Sequence, residues 1–339
     1  MTMTALDKID LVCPAGSLPS LKAAIDNGAD AVYVGLRDGT NARNFPGLNF
    51  DTATLEQGIR YARDAGAKVL LAINTYPRPH QWQTWRKAVD TAAEQDVDAL
   101  IMADTGLMRY ATDTHPELRL HLSVQASATN HQAIDYFARH FHIKRAVLPR
   151  VLSLSQIRRV IQNTNVEIEV FGFGSLCVMV EGRCTLSSYV TGKSPNSNGV
   201  CSPAEAVRWE ETPQGRRSRL NGVLIDEYKK DESAGYPTLC KGRYLCGNTP
   251  YHAMEEPTNL NILEVLPDLI DAGVSAIKVE GRQRSPAYVG KVTHILRQAL
   301  DECLANPGAY TAREHWLQQL DRMAEGSRHT LGALHRPWQ

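Results

Sequence analysis

The chain has 339 residues, 43% of them hydrophobic, enough to bury one large α/β domain or two ordinary ones. Its 37 Lys and Arg balance 37 Asp and Glu, which leaves no electrostatic footprint for a long nucleic acid or an anionic membrane and favours small or neutral partners. Residues 1–10 lack a basic-then-apolar leader and no run of about 18 apolar residues occurs, so the expected location is cytoplasmic, where seven cysteines are better explained as metal-binding thiols than as disulfides.

In chain order, the first apolar run, Ile9 to Cys13, stops at Pro14-Ala15-Gly16, and helical spacing follows from Leu18 to Asn27 with a stop at Gly28. Ala31 to Gly35 reads as a second buried strand. Val69 to Ile73, Ala99 to Ala103, Leu120 to Val124, Arg145 to Leu148 and Ile168 to Phe173 continue the series, each gap holding an amphipathic stretch. On one such stretch Trp82 and Trp85 stand at i, i+3, a packing pair by default and a partner contact as the alternative. After the seventh strand, residues 175–260 are rich in Gly, Pro, Ser, Asn and Arg and far exceed the usual βα loop. A helix from Asn261 to Ala272, an eighth strand from Ser275 to Glu280 and a helix from Tyr288 to Leu304 complete the pattern.

Eight βα units with continuous apolar strands predict a parallel sheet closed into a (β/α)8 TIM-like barrel, with a long cysteine-bearing insertion between strands 7 and 8. The expected divisions are 1–174 for strands 1–7, 175–260 for the insertion, 261–305 for strand 8 and its closing helix, and 306–339 for a C-terminal helix and tail. The insertion would begin at the C-terminal end of a barrel strand, the face on which such barrels build their sites. The other strand ends would bring Arg37, Asn74, Asp104, Gln125, Arg150 and Glu280 to the same mouth.

Cys177, Cys184, Cys201 and Cys240 all fall in the insertion, with 6, 16 and 38 residues between them. Structural zinc sites use ligand pairs two to four residues apart, and none occurs here. An iron–sulfur cluster can gather ligands from separate loops, and Arg183, Lys241 and Arg243 would offset the charge of four thiolates. On spacing alone zinc, an iron–sulfur cluster and unliganded thiols all stay open, and Cys246 competes with Cys240 as fourth ligand. Cys13 and Cys303 read as buried small hydrophobes.

Several phrases of the chain resemble, in the same order, the collagenase-like peptidase family: Leu11-Val12-Cys13-Pro14-Ala15-Gly16, Asn41-Ala42-Arg43-Asn44-Phe45, Ser123-Val124-Gln125-Ala126-Ser127, Phe173-Gly174-Ser175-Leu176-Cys177 and Lys278-Val279-Glu280-Gly281-Arg282. Glu181-Gly182-Arg183-Cys184, Cys201-Ser202-Pro203-Ala204 and Tyr236-Pro237-Thr238-Leu239-Cys240-Lys241-Gly242-Arg243-Tyr244 are its most specific pieces. Within the family, the chain looks most like the branch that serves oxygen-independent ubiquinone biosynthesis. That resemblance implies a [4Fe-4S] cluster on Cys177, Cys184, Cys201 and Cys240. It also implies a heterodimer with a UbiV-like second subunit, working among ubiquinone biosynthesis accessory proteins, that hydroxylates the aromatic ring of ubiquinone precursors without O2. Ser17 stands where the family pattern leads us to expect Asn, and Cys246 is additional.

The family name suggests hydrolysis, yet the chain has neither Gly-x-Ser-x-Gly nor His-Glu-x-x-His. It also lacks the Cys-x3-Cys-x2-Cys of radical S-adenosylmethionine enzymes, and no Gly-x-Gly-x-x-Gly follows the first strand. A non-catalytic scaffold or electron-transfer subunit is the alternative role. Relatives that hydroxylate transfer RNA suggest prephenate, a dicarboxylate, as oxygen donor, and arginine forks suit carboxylates, which makes Arg43, Arg150, Arg183 and Arg282 candidate clamps or structural ion-pair partners. Glu280 and Arg282 are the candidate catalytic residues; Arg43, Gln125 and Arg150 the candidate substrate contacts. Lys278, on the same side of its strand, would pair with Glu280 in the barrel interior, Asn74 would orient substrate or satisfy backbone, and His121 reads as a satisfied core histidine.

Overall fold

In a computed structural model of the chain, which describes residues 8–179 and 184–335, the apolar runs form parallel strands because neither face of them is left for water. They are β1 (Asp10–Pro14), β2 (Ala31–Val34), β3 (Lys68–Ile73), β4 (Ala99–Met102), β5 (Leu120–Leu122), β6 (Arg145–Val147) and β7 (Glu167–Ser175). Between them lie α1 (Leu18–Asp26), α2 (Thr52–Asp64), α3 (Trp82–Glu94), α4 (Thr105–Thr114), α5 (His131–Phe141) and α6 (Leu154–Ile161). Side-chain caps set where several helices begin: Ser17 accepts from Ser20 N, Asp51 and Thr54 form a capping box, and so do Ser153 and Gln156.

Past β7 the chain runs through α7 (Thr185–Thr191) and α8 (Pro195–Asn198). A three-stranded antiparallel sheet of β8 (Val207–Thr212), β9 (Gly215–Leu220) and β10 (Val223–Lys229) follows, and then a hairpin of β11 (Arg243–Cys246) and β12 (Thr249–His252). β13 (Asn259–Asn261) pairs antiparallel with the end of β7. The helix expected from Asn261 therefore starts later, as α9 (Leu266–Ala272): Asn261 ends a strand, its Oδ1 accepts from Leu263 N at 3.1 Å, and Pro267 occupies the first turn. β14 (Ala276–Val279) hydrogen-bonds to β1 on one side and β7 on the other, which closes an eight-stranded parallel barrel as expected. α10 (Pro286–Ala305) packs on α1, α11 (Glu314–Asp321) follows, and β15 (His329–Thr330) adds to β13. Among the described residues no helix is long and apolar enough to cross a membrane.

The main core fills the space between barrel and helices. Trp85 belongs to it, buried, with its indole N–H on the Thr75 carbonyl at 3.2 Å, and the half-buried Trp82 packs against it, as the packing reading of the pair expects. Cys13 and Cys303 are fully buried.

Inside the barrel, Val12, Ala31, Tyr33, Leu70, Ala72, Ala99, Ile101 and Ala276 form an apolar cluster. Beside it runs a chain of buried charges. Arg145 bonds Asp10 at 2.8 Å and Glu167 at 2.8 Å, and Glu169 accepts from Lys278 Nζ at 2.7 Å. The Lys–Glu pair expected inside the barrel is thus made by Lys278 with Glu169 on the neighbouring strand and not with Glu280, which lies beyond β14 and faces two arginines described below.

His121 is buried in β5. Its Nε2 accepts from Arg119 Nε at 3.1 Å, while Nδ1 has no hydrogen-bond partner, so the expectation of a satisfied histidine is only half met. Burial first, then Arg145 and Arg119, hold its pKa well below 6.5. The folded pKa lies under the unfolded one, so as pH falls below 6.5 the unfolded chain takes the proton first and stability declines, by at most about 1.4 kcal/mol per pH unit. His121→Gln is expected to flatten that acid limb of the melting temperature; an unchanged slope between pH 6.5 and 5 would exclude His121 as its cause.

Candidate active site at the barrel mouth

The site is built where β7 and β14 end. A register shift sets Val279 opposite Phe173 where Lys278 is opposite Phe171, so β7 carries an extra residue there, a bulge that re-aims its last turn. Gly174 follows with φ +149°, and a Cβ on it would lie 2.5 Å from Glu280 Cβ. Only glycine lets β7 pass the Glu280 side chain so closely. Gly174→Ala is expected to lower stability by about 1–3 kcal/mol and to shift Glu280, read as a lower melting temperature with reduced activity; a melt matching wild type would show that the close approach is not needed.

Glu280 is held between two guanidiniums. Arg43 Nη2 donates to Oε1 at 3.1 Å, and Arg150 Nη2 donates to Oε2 at 2.7 Å. Burial pushes the Glu280 carboxyl up, but Arg150, Arg43 and Lys241 outweigh it and hold the group below its ordinary range, so it is an anion at neutral pH. Arg150 is buried, its guanidinium 3.4 Å from the centroid of the Phe171 ring. Arg150 and Glu280, which the sequence placed at strand ends, are thus brought together with Arg43 from the loop after β2.

Arg43 also reaches the insertion. Its backbone N–H and its Nη1 both donate to the Gly199 carbonyl at 3.1 Å, and its own φ is +78°. Gly199, at φ +73°, rests so close that a Cβ would lie 2.7 Å from Ala42 Cα. Two residues on is Cys201, whose charge, with that of Glu280, raises the Arg43 pKa against the lowering effect of burial. Arg43 therefore stands between a cysteine of the insertion and the carboxylate of the barrel.

Cys177, Cys184, Cys201 and Cys240 are all half-buried. Burial pushes the Cys240 thiol up to about 11, and the charges of Cys201 and Cys184 add to that, while Lys241 opposes it. Cys184 is raised by burial and by Cys201; its sulfur accepts from Ser187 N–H at 3.4 Å, and Ser187 Oγ donates to the Cys201 carbonyl. Three thiols from separate loops thus lie within electrostatic reach of one another, and Cys177 sits two residues past the end of β7. Cys246 differs: it is exposed on the β11–β12 hairpin beside Tyr251. Four zinc-bound sulfurs with bonds of about 2.3 Å would stand within about 4 Å of one another, and among the described residues no group of three metal-ligating side chains is gathered for one ion.

The remaining candidates are placed less directly. Arg282 is buried behind the mouth, its Nη1 on Asn41 Oδ1 at 3.0 Å and its guanidinium above Tyr33; burial brings its pKa down to about 10. It supports the loop that carries Arg43. Asn74 accepts from Ala42 N–H at 2.9 Å and donates to Ser123 Oγ at 3.2 Å, a structural bridge across the mouth. Gln125 is buried after β5 with its Oε1 lacking a hydrogen-bond partner, and its carbonyl accepts from Tyr76. Asp104 caps α4, and Arg37 pairs with Asp51. Arg183, with Glu181 and Gly182 of its motif, lies outside the described residues. The sequence reading missed Asn41 and Tyr33 as supports; their signal was a polar tip in or after an otherwise apolar strand.

The profile of Peptidase family U32 matches residues 16–336. A protein of Methanocaldococcus jannaschii described as an uncharacterized protease is 32% identical over 320 residues, 93% of this chain and 70% of its own length. The tRNA hydroxylation protein P1 of Bacillus subtilis is 28% identical over 94% of this chain and 69% of its own length, and a protein of Porphyromonas gingivalis named collagenase is 29% identical over 93% and 71%. The chain therefore belongs to peptidase family U32.

Proposed function

We propose that the chain is an iron–sulfur subunit of an O2-independent hydroxylase, UbiU-like, acting on the aromatic ring of ubiquinone precursors together with a UbiV-like subunit. The observation that carries this reading is Arg43, which touches Glu280 with one nitrogen and the segment before Cys201 with another. The thiols and the charged constellation share one mouth. Cys177, Cys184, Cys201 and Cys240 would hold a [4Fe-4S] cluster, which when bound supplies electron transfer or Lewis-acid chemistry at the mouth.

The chain's own residues have defined parts in this reading. Arg43 and Arg150 present guanidinium edges that bind a carboxylate of the oxygen donor, prephenate being the first to test, while Glu280 keeps them pre-oriented. Glu280, ionised and bonded on both oxygens, is a proton acceptor once a donor carboxylate takes over one arginine. The buried Gln125 offers an acceptor to a substrate hydroxyl.

Two features favour a small aromatic substrate over RNA for this chain. Charge is balanced overall, and the arginines of β9, one exposed and two half-buried, are paired, Arg216 with Glu211, Arg217 with Glu227 and Arg219 with Glu210. The partner reading is supported by the insertion's surface, where Leu186, Tyr189, Trp209, Tyr236, Leu245 and Tyr251 are exposed. Co-expression with the partner under anoxia, followed by iron and sulfide quantitation and a hydroxylation assay with candidate oxygen donors, tests the proposal. About four irons per chain and donor-dependent product support it; iron-free protein with full activity defeats it. Iron without product in any reconstituted pair would leave a scaffold or electron-transfer subunit, and metal- or thiol-dependent cleavage of collagen-like peptides would restore the hydrolytic reading.

A further inference from the structure

A second ionic group lies beside the mouth, and its contacts run to the cysteine-bearing segments. Lys241, adjacent to Cys240, donates from Nζ to Glu325 Oε2 at 2.5 Å and to Ser175 Oγ at 3.0 Å, and Ser175 Oγ donates to the same carboxylate oxygen at 2.8 Å. The Lys241 and Glu325 side chains are only 6% and 13% exposed. Ser175 ends β7, two residues before Cys177. The three residues come from the barrel, the insertion and the segment after α11.

The surroundings hold Glu325 in place. Its backbone N–H donates to Asn259 Oδ1 at 3.2 Å, and Asn259 is the register partner of Ser175 on β13. The Asn259 N–H in turn donates to the Arg328 carbonyl at 3.1 Å, and β15 runs along β13. Leu176, between Ser175 and Cys177, is buried and lies against Gly332. The C-terminal segment therefore covers the two places where the cysteine-bearing chain leaves the barrel and returns toward it. A buried ion pair adds little net stability compared with an apolar pair, but it fixes which segments meet and in what register.

We infer that the segment 325–334 is a positioning element of the cysteine site, with the Glu325 carboxylate fastening the chain ends that bear Cys177 and Cys240. The inference rests on the four-cysteine site of the proposed function. Cys184 and Cys201, carried on the far part of the insertion, are not tied by this carboxylate.

The test uses the full chain, reduced and free of metal, with timed iodoacetamide labelling read cysteine by cysteine by mass spectrometry. In Glu325→Gln, labelling of Cys177 and Cys240 should accelerate on the order of tenfold, with Cys184 and Cys201 within about twofold of wild type. Equal acceleration at all four, or at none, overturns the inference. Lys241→Met should reproduce the selective pattern, and Ser175→Ala, which removes one arm without burying a new charge imbalance, reads the same selectivity if the charge variants do not fold. In anaerobically reconstituted protein the same variants should release iron to a chelator several-fold faster, with an altered electron paramagnetic resonance line shape. Wild-type protein that never takes up iron would defeat the cluster reading while the labelling pattern still decides the role of Glu325.

Discussion

Cys201→Ala is expected to cut the iron recovered with anaerobically purified protein by about tenfold or more, with a matching loss of product. Cys201 is the thiol whose charge is felt by Cys184, Cys240 and Arg43 together, so its removal takes away the proposed ligand that has most of the others as neighbours, and the group facing Arg43. Cys246→Ala is the internal control: that thiol is exposed on a hairpin, and iron content should stay at the wild-type level. Iron and sulfide quantitation on the two variants side by side gives the answer. Equal iron loss in both, or in neither, would remove Cys201 from the ligand set.

Glu280→Gln is expected to lower product formation by about 100-fold while iron content stays near wild type. The neutral amide keeps the shape but leaves Arg43 and Arg150 without their shared counter-charge. Because the Arg43 side chain is 37% exposed and that of Glu280 21%, water recovers part of the loss, and the stability cost is discounted from that of a fully buried pair to about 2 kcal/mol. The pH dependence follows from the lowered carboxyl pKa. The stabilisation by ionised Glu280 is complete above its ordinary value of 4.5 and is lost as pH falls through the lower folded value. Melting temperatures of wild type and variant should therefore converge toward acid pH. A constant gap from pH 7 down to 3 would show that the carboxylate's charge does not contribute.

The barrel was legible because its information is local. Each strand is an apolar run with a helix of 3.6 period behind it, and right-handed βα repetition leaves few closures. The insertion's internal order was not. β9 reads Gly-Arg-Arg-Ser-Arg-Leu, nearly all polar, and forms a strand because its arginines find Glu210, Glu211 and Glu227 across the ladder; that pairing has no periodic signature. β13 was lost for a similar reason, being three residues of which two are asparagine. At the site, the strand ends were readable, so Arg150 and Glu280 could be named by position, and Arg43 by its residue type as a clamp for carboxylates. Their partnership was not, since Arg43 and Glu280 meet across 237 residues. The same gap explains Lys278, assigned by its strand neighbour Glu280 although the neighbouring strand supplied Glu169, and the unforeseen meeting of Lys241 with Glu325.

The irregular seam between β7 and β14 sets where two parts of the site leave the barrel. Glu280 leaves β14, and Cys177 leaves β7, and these strands are hydrogen-bonded side by side along the seam that closes the barrel. The points at which those two residues leave the barrel are therefore spaced by the barrel itself, and the Glu325 contacts act on the short stretch beyond it. Cys240 is tied to the same seam through Lys241, which bonds Ser175 and Glu325, while Cys184 and Cys201 lie further along the insertion, outside those bonds. If the proposed cluster is loaded after folding, the charged constellation should already be assembled, with Cys177 and Cys240 held beside it and only Cys184 and Cys201 left to close, so that loading resembles shutting a hinged clasp whose fixed half is already in place.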